Sequence, residues 1–234
     1  MKGNTMKKYE LIESDKVSPR GTPLFQVVAI RDFGTVKKGY KGGYIESEAN
    51  LSHEDNCWVY GNARVYDNAR ALDDAQVYGN ALVYGNAQVC DRARVCDRAL
   101  VCDRALICGN ALVFDDAQVC DDVLVSGNAQ VCDRARVFNT ARVYDDARVS
   151  GTAWVFGNAR IFRDTQITAG HAFATKDNSW DITEVDNGNG TSTLYADAVF
   201  ELAEPACDHV TGGVPDEEGK AIVFRYCPKC GEKL

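Results

Sequence analysis

A chain of 234 residues, 45% of them hydrophobic, can bury one long core or a few small ones. Its net charge of −8 comes with Lys and Arg dispersed among Asp and Glu, so no long basic run is present to release counterions from nucleic acid. No run of about 18 apolar residues could span a membrane, and Met1 to Glu10 lack the apolar centre of a signal peptide, so nucleic-acid and membrane partners are disfavoured and a cytoplasmic location is expected.

Residues 1–57 carry strand-like runs such as Leu24 to Ile30, broken by Gly and Pro, and read as an N-terminal β cap. From Val59 the chain runs VYGNAR, VYDNAR, ALDDAQ and onward to IFRDTQ, eighteen hexads without an insertion. The first position is Val or Ile except at Ala71, and the fifth is Ala except at Val123 and Thr165. The third and fourth draw on Gly, Asp, Asn, Arg and Thr.

The alternation Ala-x-Val-x puts Ala and Val on one face of a short strand, and the following Gly/Asp-Asn/Asp pair is turn chemistry. One such unit buries nothing alone. Three sides closed into a triangular coil, stacked about six coils high over residues 58–169, bury a Val/Ala column and pair every strand in parallel. An eighteen-residue period places Asp116 between Arg98 and Arg134, Arg104 by Asp122, and Asp74 by Arg92, so neighbours in each stack carry opposite charges. It also stacks Asp97, Asp115 and Asp133, which repel unless arginines or a cation such as Ca²⁺ offset them.

Ten cysteines would suit a disulfide framework in a small secreted chain, but here six of them, Cys90, Cys96, Cys102, Cys108, Cys120 and Cys132, fill one repeat position. Parallel strand neighbours such as Cys102 and Cys120 aim their Cβ vectors poorly for a bridge, so these cysteines are expected as free thiols.

The hexads resemble the left-handed β-helix family of hexapeptide-repeat proteins, whose best-known members are acyltransferases. They depart from it at the second position, where Tyr66, Tyr84, Cys102, Phe138 and their equivalents stand in place of the frequent Gly. Left-handedness is implied by that resemblance alone, because parallel crossovers ordinarily favour the right hand. A right-handed helix of the bactofilin kind is the alternative. The stretch from Arg31 to Val59 resembles the lead-in of YdcK-like hexapeptide-repeat proteins, many encoded by bacteriophages and prophages. With the repeats, this resemblance covers about three quarters of the chain, and it implies architecture, not activity.

Residues 170–203 read as a small C-terminal β element, with Trp180 to Val185 and Thr193 to Leu202 flanking the turn-rich DNGNGTS. Residues 204–234 carry Cys207-Asp-His209, seventeen residues, then Cys227-Pro-Lys-Cys230-Gly. Cys207, His209, Cys227 and Cys230 form a Cys₃His set for one tetrahedral Zn²⁺ and resemble a small zinc ribbon. All four ligands come from protein, which marks the ion as structural. A redox-active CxxC or no metal are the alternatives.

One side of the prism stacks Arg64/Tyr66, Leu82/Tyr84, Leu100/Cys102, Gln118/Cys120, Arg136/Phe138 and Trp154/Phe156. A stripe containing Tyr66, Leu82, Tyr84, Leu100, Cys102, Phe138, Trp154 and Phe156 points to an interface, with a second copy or another protein. The plainer account is that stacked side chains only stabilise the sheet. Three functions follow. The leading one is a non-catalytic scaffold of phage or prophage type that binds a protein partner and self-associates, with counter-defence or virion roles. An acyltransferase with His171 as general base is second, although no loop interrupts the coils. A polymer-forming cytoskeletal element is third.

Overall fold

The computed structural model describes residues 6–174 and, beyond them, the strands Ile182–Asp186, Ser192–Ala196, Gly213–Pro215 and Ala221–Val223. Between Trp58 and Ile167 the hexads contribute short strands, nearly all of two residues, each joining an outward side chain to an inward aliphatic one, as in Leu100–Val101. Successive strands fall in rotation into three sheets: Arg64–Val65, Arg70–Ala71 and Gln76–Val77 begin one cycle and Leu82–Val83 returns to the first sheet. Leu100 pairs in parallel with Leu82 on one side and Gln118 on the other, so the observed period is eighteen residues. The result is an all-β parallel solenoid. No α-helix occurs among the described residues, and one 3-10 turn spans Glu48–Asn50.

The Val/Ala column is the core. Val65, Val83, Val101, Val119, Val137 and Val155 are at most 1% exposed, as are the intervening alanines. Each buried Val contributes roughly 1.5 to 3 kcal/mol of transfer free energy. The corners follow from the third hexad position, which sits in the left-handed region, as at Asp97 (φ 58°) and Gly85 (φ 72°). Asp and Asn tolerate that region better than other residues with a Cβ. A turn bond from the Ala99 amide to the Cys96 carbonyl at 3.1 Å closes one such corner.

Of the stacked aspartates expected to repel, Asp115 and Asp133 are held by the main chain of the next coil. The Asp133 amide donates to Asp115 Oδ2 at 3.3 Å, and the Gly151 amide donates to Asp133 Oδ2 at 2.8 Å. The same bond joins Gly109 to Asp91 at 2.9 Å and Arg163 to Asp145 at 3.1 Å. Each carboxylate therefore ties one coil to the next. Of the charge pairs expected, Arg98 grips Asp116 through two bonds of 2.6 Å and Arg104 bonds Asp122. Asp74, expected beside Arg92, accepts instead from the Asn56 amide at 2.8 Å.

Two sides of the first coil are built ahead of the hexads. Strands β1 (Tyr9–Ile12), β2 (Phe25–Ala29) and β3 (Lys41–Ile45) form an antiparallel meander, and β3 then pairs in parallel with Arg64–Val65. Leu51 bridges Ala71 and Trp58–Val59 pairs with Gln76–Val77, which completes three sides. This coil raises the count to about seven turns, the number of strands in the sheet running from Trp58–Val59 to Gln166–Ile167, against about six expected. Gly43 permits the close approach: a Cβ there would lie 2.6 Å from the Ala63 carbonyl oxygen.

Buried polar groups lock the meander down. Tyr9 Oη donates to the Leu51 carbonyl at 2.7 Å, and Asn50 Nδ2 donates to the Asp67 and Ala69 carbonyls at 2.9 Å each. Lys8 is fully buried, its Nζ donating to the Glu54 and Asp55 carbonyls at 2.9 and 3.1 Å. At the other end His171–Ala174 pairs in parallel with Trp154–Gly157, and Ile182–Asp186 and Ser192–Ala196 continue the sheet antiparallel. These additions cover strand edges that would otherwise template aggregation.

Candidate functional site

The eighteen-residue register brings all eight stripe residues onto one sheet. Leu82, Leu100 and Trp154 project from its strands, Tyr66, Tyr84, Cys102 and Phe138 occupy the position just after a strand, and Phe156 lies within the strand Trp154–Gly157. They differ in exposure. Tyr66 and Cys102 are each 3% exposed, whereas Trp154 is 38% exposed. The rings cover one another: Tyr66 stacks on Tyr84 and Phe138 on Phe156, both at 5.2 Å. Burial pushes the Tyr66 hydroxyl up to about 12, with Tyr84 and Asp67 adding to the shift. Within the stripe Tyr66 and Cys102 are thus packed away, Leu82, Tyr84, Leu100, Phe138 and Phe156 are half-buried, and Trp154 is exposed. Arg136 lies over the Trp154 ring at 5.2 Å, a cation–π contact that leaves a flat, partly aromatic, cationic patch.

Cys102 and Cys120 fill the middle of the same column and are joined by a disulfide. This corrects the expectation of free thiols throughout the solenoid. Stacking in parallel one coil apart brings their Cα atoms to 4.6 Å, inside the range a bridge spans. Cys57, Cys90, Cys96, Cys108 and Cys132 are free.

Of the histidines, His53 stacks on Tyr9 at 4.1 Å and accepts from the Lys8 amide at 3.3 Å. Burial holds its imidazole below the ordinary value, and it serves the N-terminal packing. His171 sits at the far end of the solenoid, its ring 5.5 Å from Trp154 and 6.1 Å from Phe156. Cys207, His209, Cys227 and Cys230 lie outside the described residues.

One feature had no counterpart in sequence reasoning. The loop at Gly34 and Thr35 overhangs the seven-stranded sheet and leaves a cleft of about 500 Å³ lined by Asn56, Tyr60, Asp74, Gln76, Arg92, Arg94 and Asn110, in which the two arginines outnumber the one acid. Its cationic pair comes from consecutive outward positions, and only the overhang makes a cleft of them. Among the described residues neither arginine forms a salt bridge. No helix among the described residues is long and apolar enough to cross a membrane.

Three stretches of the solenoid, residues 75–91, 117–130 and 141–155, match the model of the YdcK Beta solenoid repeat. Over 62 residues the chain is 37% identical to an "Uncharacterized acetyltransferase YdcK" of Escherichia coli (strain K12). The match takes in 24% of this chain and 19% of that protein, so the chain spans about a fifth of that relative's length. The chain carries YdcK-like β-solenoid repeats.

Proposed function

We propose that the chain is a non-catalytic β-helical scaffold that binds a protein partner and self-associates through its long sheet. The observation that carries this reading is the row Arg64, Leu82, Leu100, Gln118, Arg136 and Trp154 on one sheet, in which Leu82 adjoins Leu100 and Arg136 lies over the Trp154 ring. Aromatic and Arg side chains dominate the energetics of protein interfaces. We read the solenoid as a left-handed triangular prism of phage or prophage type, working in the cytoplasm of a bacterial host, with a structural Zn²⁺ in its tail. The test is solution mass. Leu100→Asp with Tyr84→Asp should dissociate an oligomer seen by light scattering for the parent protein, and an unchanged mass would count against this interface.

A second reading, an acyltransferase-like activity, is favoured by the likeness to the Escherichia coli acetyltransferase and by the arginine cleft. Arg92 and Arg94 offer charge-assisted hydrogen bonds to the phosphates of a coenzyme A donor. Titration calorimetry with acetyl-CoA decides it. Binding that is lost in Arg92→Ala with Arg94→Ala would support this reading, and no heat would remove it.

A further inference from the structure

Cys90 and Cys108 stand to each other as Cys102 and Cys120 do. Both pairs occupy the second hexad position, eighteen residues apart, on the same two neighbouring coils at adjacent corners. The strands leading into them, Gln88–Val89 and Leu106–Ile107, are in parallel register, which is also the relation of the strands leading into Cys102 and Cys120. Register therefore sets Cys90 beside Cys108 one coil apart, as it sets Cys102 beside Cys120. Both are half-buried, so a small reagent can reach them, whereas the Cys96 and Cys132 thiols at the third corner are separated by Phe114 and have no cysteine one coil away.

We propose that Cys90 and Cys108 are a dithiol modification site that a low-molecular-weight disulfide oxidises to a second coil-to-coil bridge. The thiolate of one cysteine attacks a sulfur of the small disulfide, forming a mixed disulfide and releasing one small thiolate. The second cysteine's thiolate then attacks the protein sulfur of that mixed disulfide and displaces the other small thiolate. The protein pair loses two electrons and two protons, and the small disulfide becomes two thiols. Two bridges would then staple the same pair of coils at two of their three corners, bracing the middle of the solenoid. This goes beyond the scaffold reading and does not depend on it.

The surroundings set a kinetic signature. Burial pushes the Cys90 thiol up to about 12, with Asp91, Cys108 and Asp73 adding to the shift, and burial and Asp91 raise Cys108 as well. The attacking thiolate is scarce at neutral pH, so the rate should climb about tenfold per pH unit from 7 to 9 without levelling off.

The test is oxidation of the full chain by glutathione disulfide, followed by thiol blocking and non-reducing peptide mapping. The expected result is a Cys90–Cys108 linked peptide whose formation rate rises about 100-fold from pH 7 to 9. Cys108→Ser should stop at a glutathione adduct on Cys90, and Cys102→Ser with Cys120→Ser should still form the Cys90–Cys108 bridge. The proposal is overturned if Cys90 is recovered with a blocked free thiol after treatment at pH 9, or bridged to any other cysteine.

Discussion

The Asn139 backbone amide donates to Asp121 Oδ2 at 2.8 Å, across one full coil of eighteen residues. Asp121 is itself in the left-handed region at φ 64°, so one residue both turns the corner and ties it to the next coil. Asp121→Ala removes the acceptor and leaves a Cβ where the backbone disfavours one, and should cost about 1 to 3 kcal/mol. Asp121→Gly loses the same acceptor but relieves the backbone, so it should cost less. Urea denaturation of the three proteins gives the order directly, and a glycine variant weaker than the alanine variant would contradict this account of the corner.

Gly43 is where the N-terminal meander meets the first coil. Its added Cβ would also fall 2.7 Å from Val59 Cγ1. Gly43→Ala should destabilise the cap by about 1 to 3 kcal/mol through overpacking. Hydrogen exchange should quicken in residues 9–45 and stay unchanged in the central coils, because each repeat contacts chiefly its neighbours.

The cap should also be sensitive to acid. Burial depresses the His53 imidazole below its ordinary 6.5, so the folded cap holds it neutral where the unfolded chain takes up a proton. With the folded value below the unfolded one, stability is complete above pH 6.5 and is lost as pH falls from there towards the folded value. The Lys7 ammonium, hydrogen-bonded to Glu48, holds that carboxyl below its usual range, which adds a further loss at lower pH. Exchange protection over residues 7–58 should therefore drop between pH 7 and pH 5 after correction for intrinsic rates. His53→Gln should remove the first part of that drop.

Zinc is expected in the tail. Elemental analysis should return close to one Zn²⁺ per chain, and Cys227→Ser with Cys230→Ser should abolish it. The thermal transition of the solenoid should stay where it is, since its parallel ladders and buried Val/Ala column are formed, among the described residues, by residues 41–174. Metal-free protein that behaves like the double variant would leave the CxxC to redox chemistry.

The solenoid was legible in the chain because its signal is local and repeated: Val101 and Ala105 face inward and Asp103 turns the corner for reasons contained within six residues. The eighteen-residue period followed from charge pairing, which Arg98 with Asp116 and Arg104 with Asp122 satisfy. What no hexad contains is the contact between coils and with the flanks. That Asp115 accepts from the Asp133 main chain, that Cys102 reaches Cys120 while Tyr66 hides under Tyr84, and that a loop at Gly34 turns Arg92 and Arg94 into a cleft are all decided across coils. Lys41–Ile45, Leu51 and Trp58–Val59 complete a coil without a hexad between them, because parallel pairing needs only matching backbone edges and an inward apolar side chain, whatever the spacing along the chain.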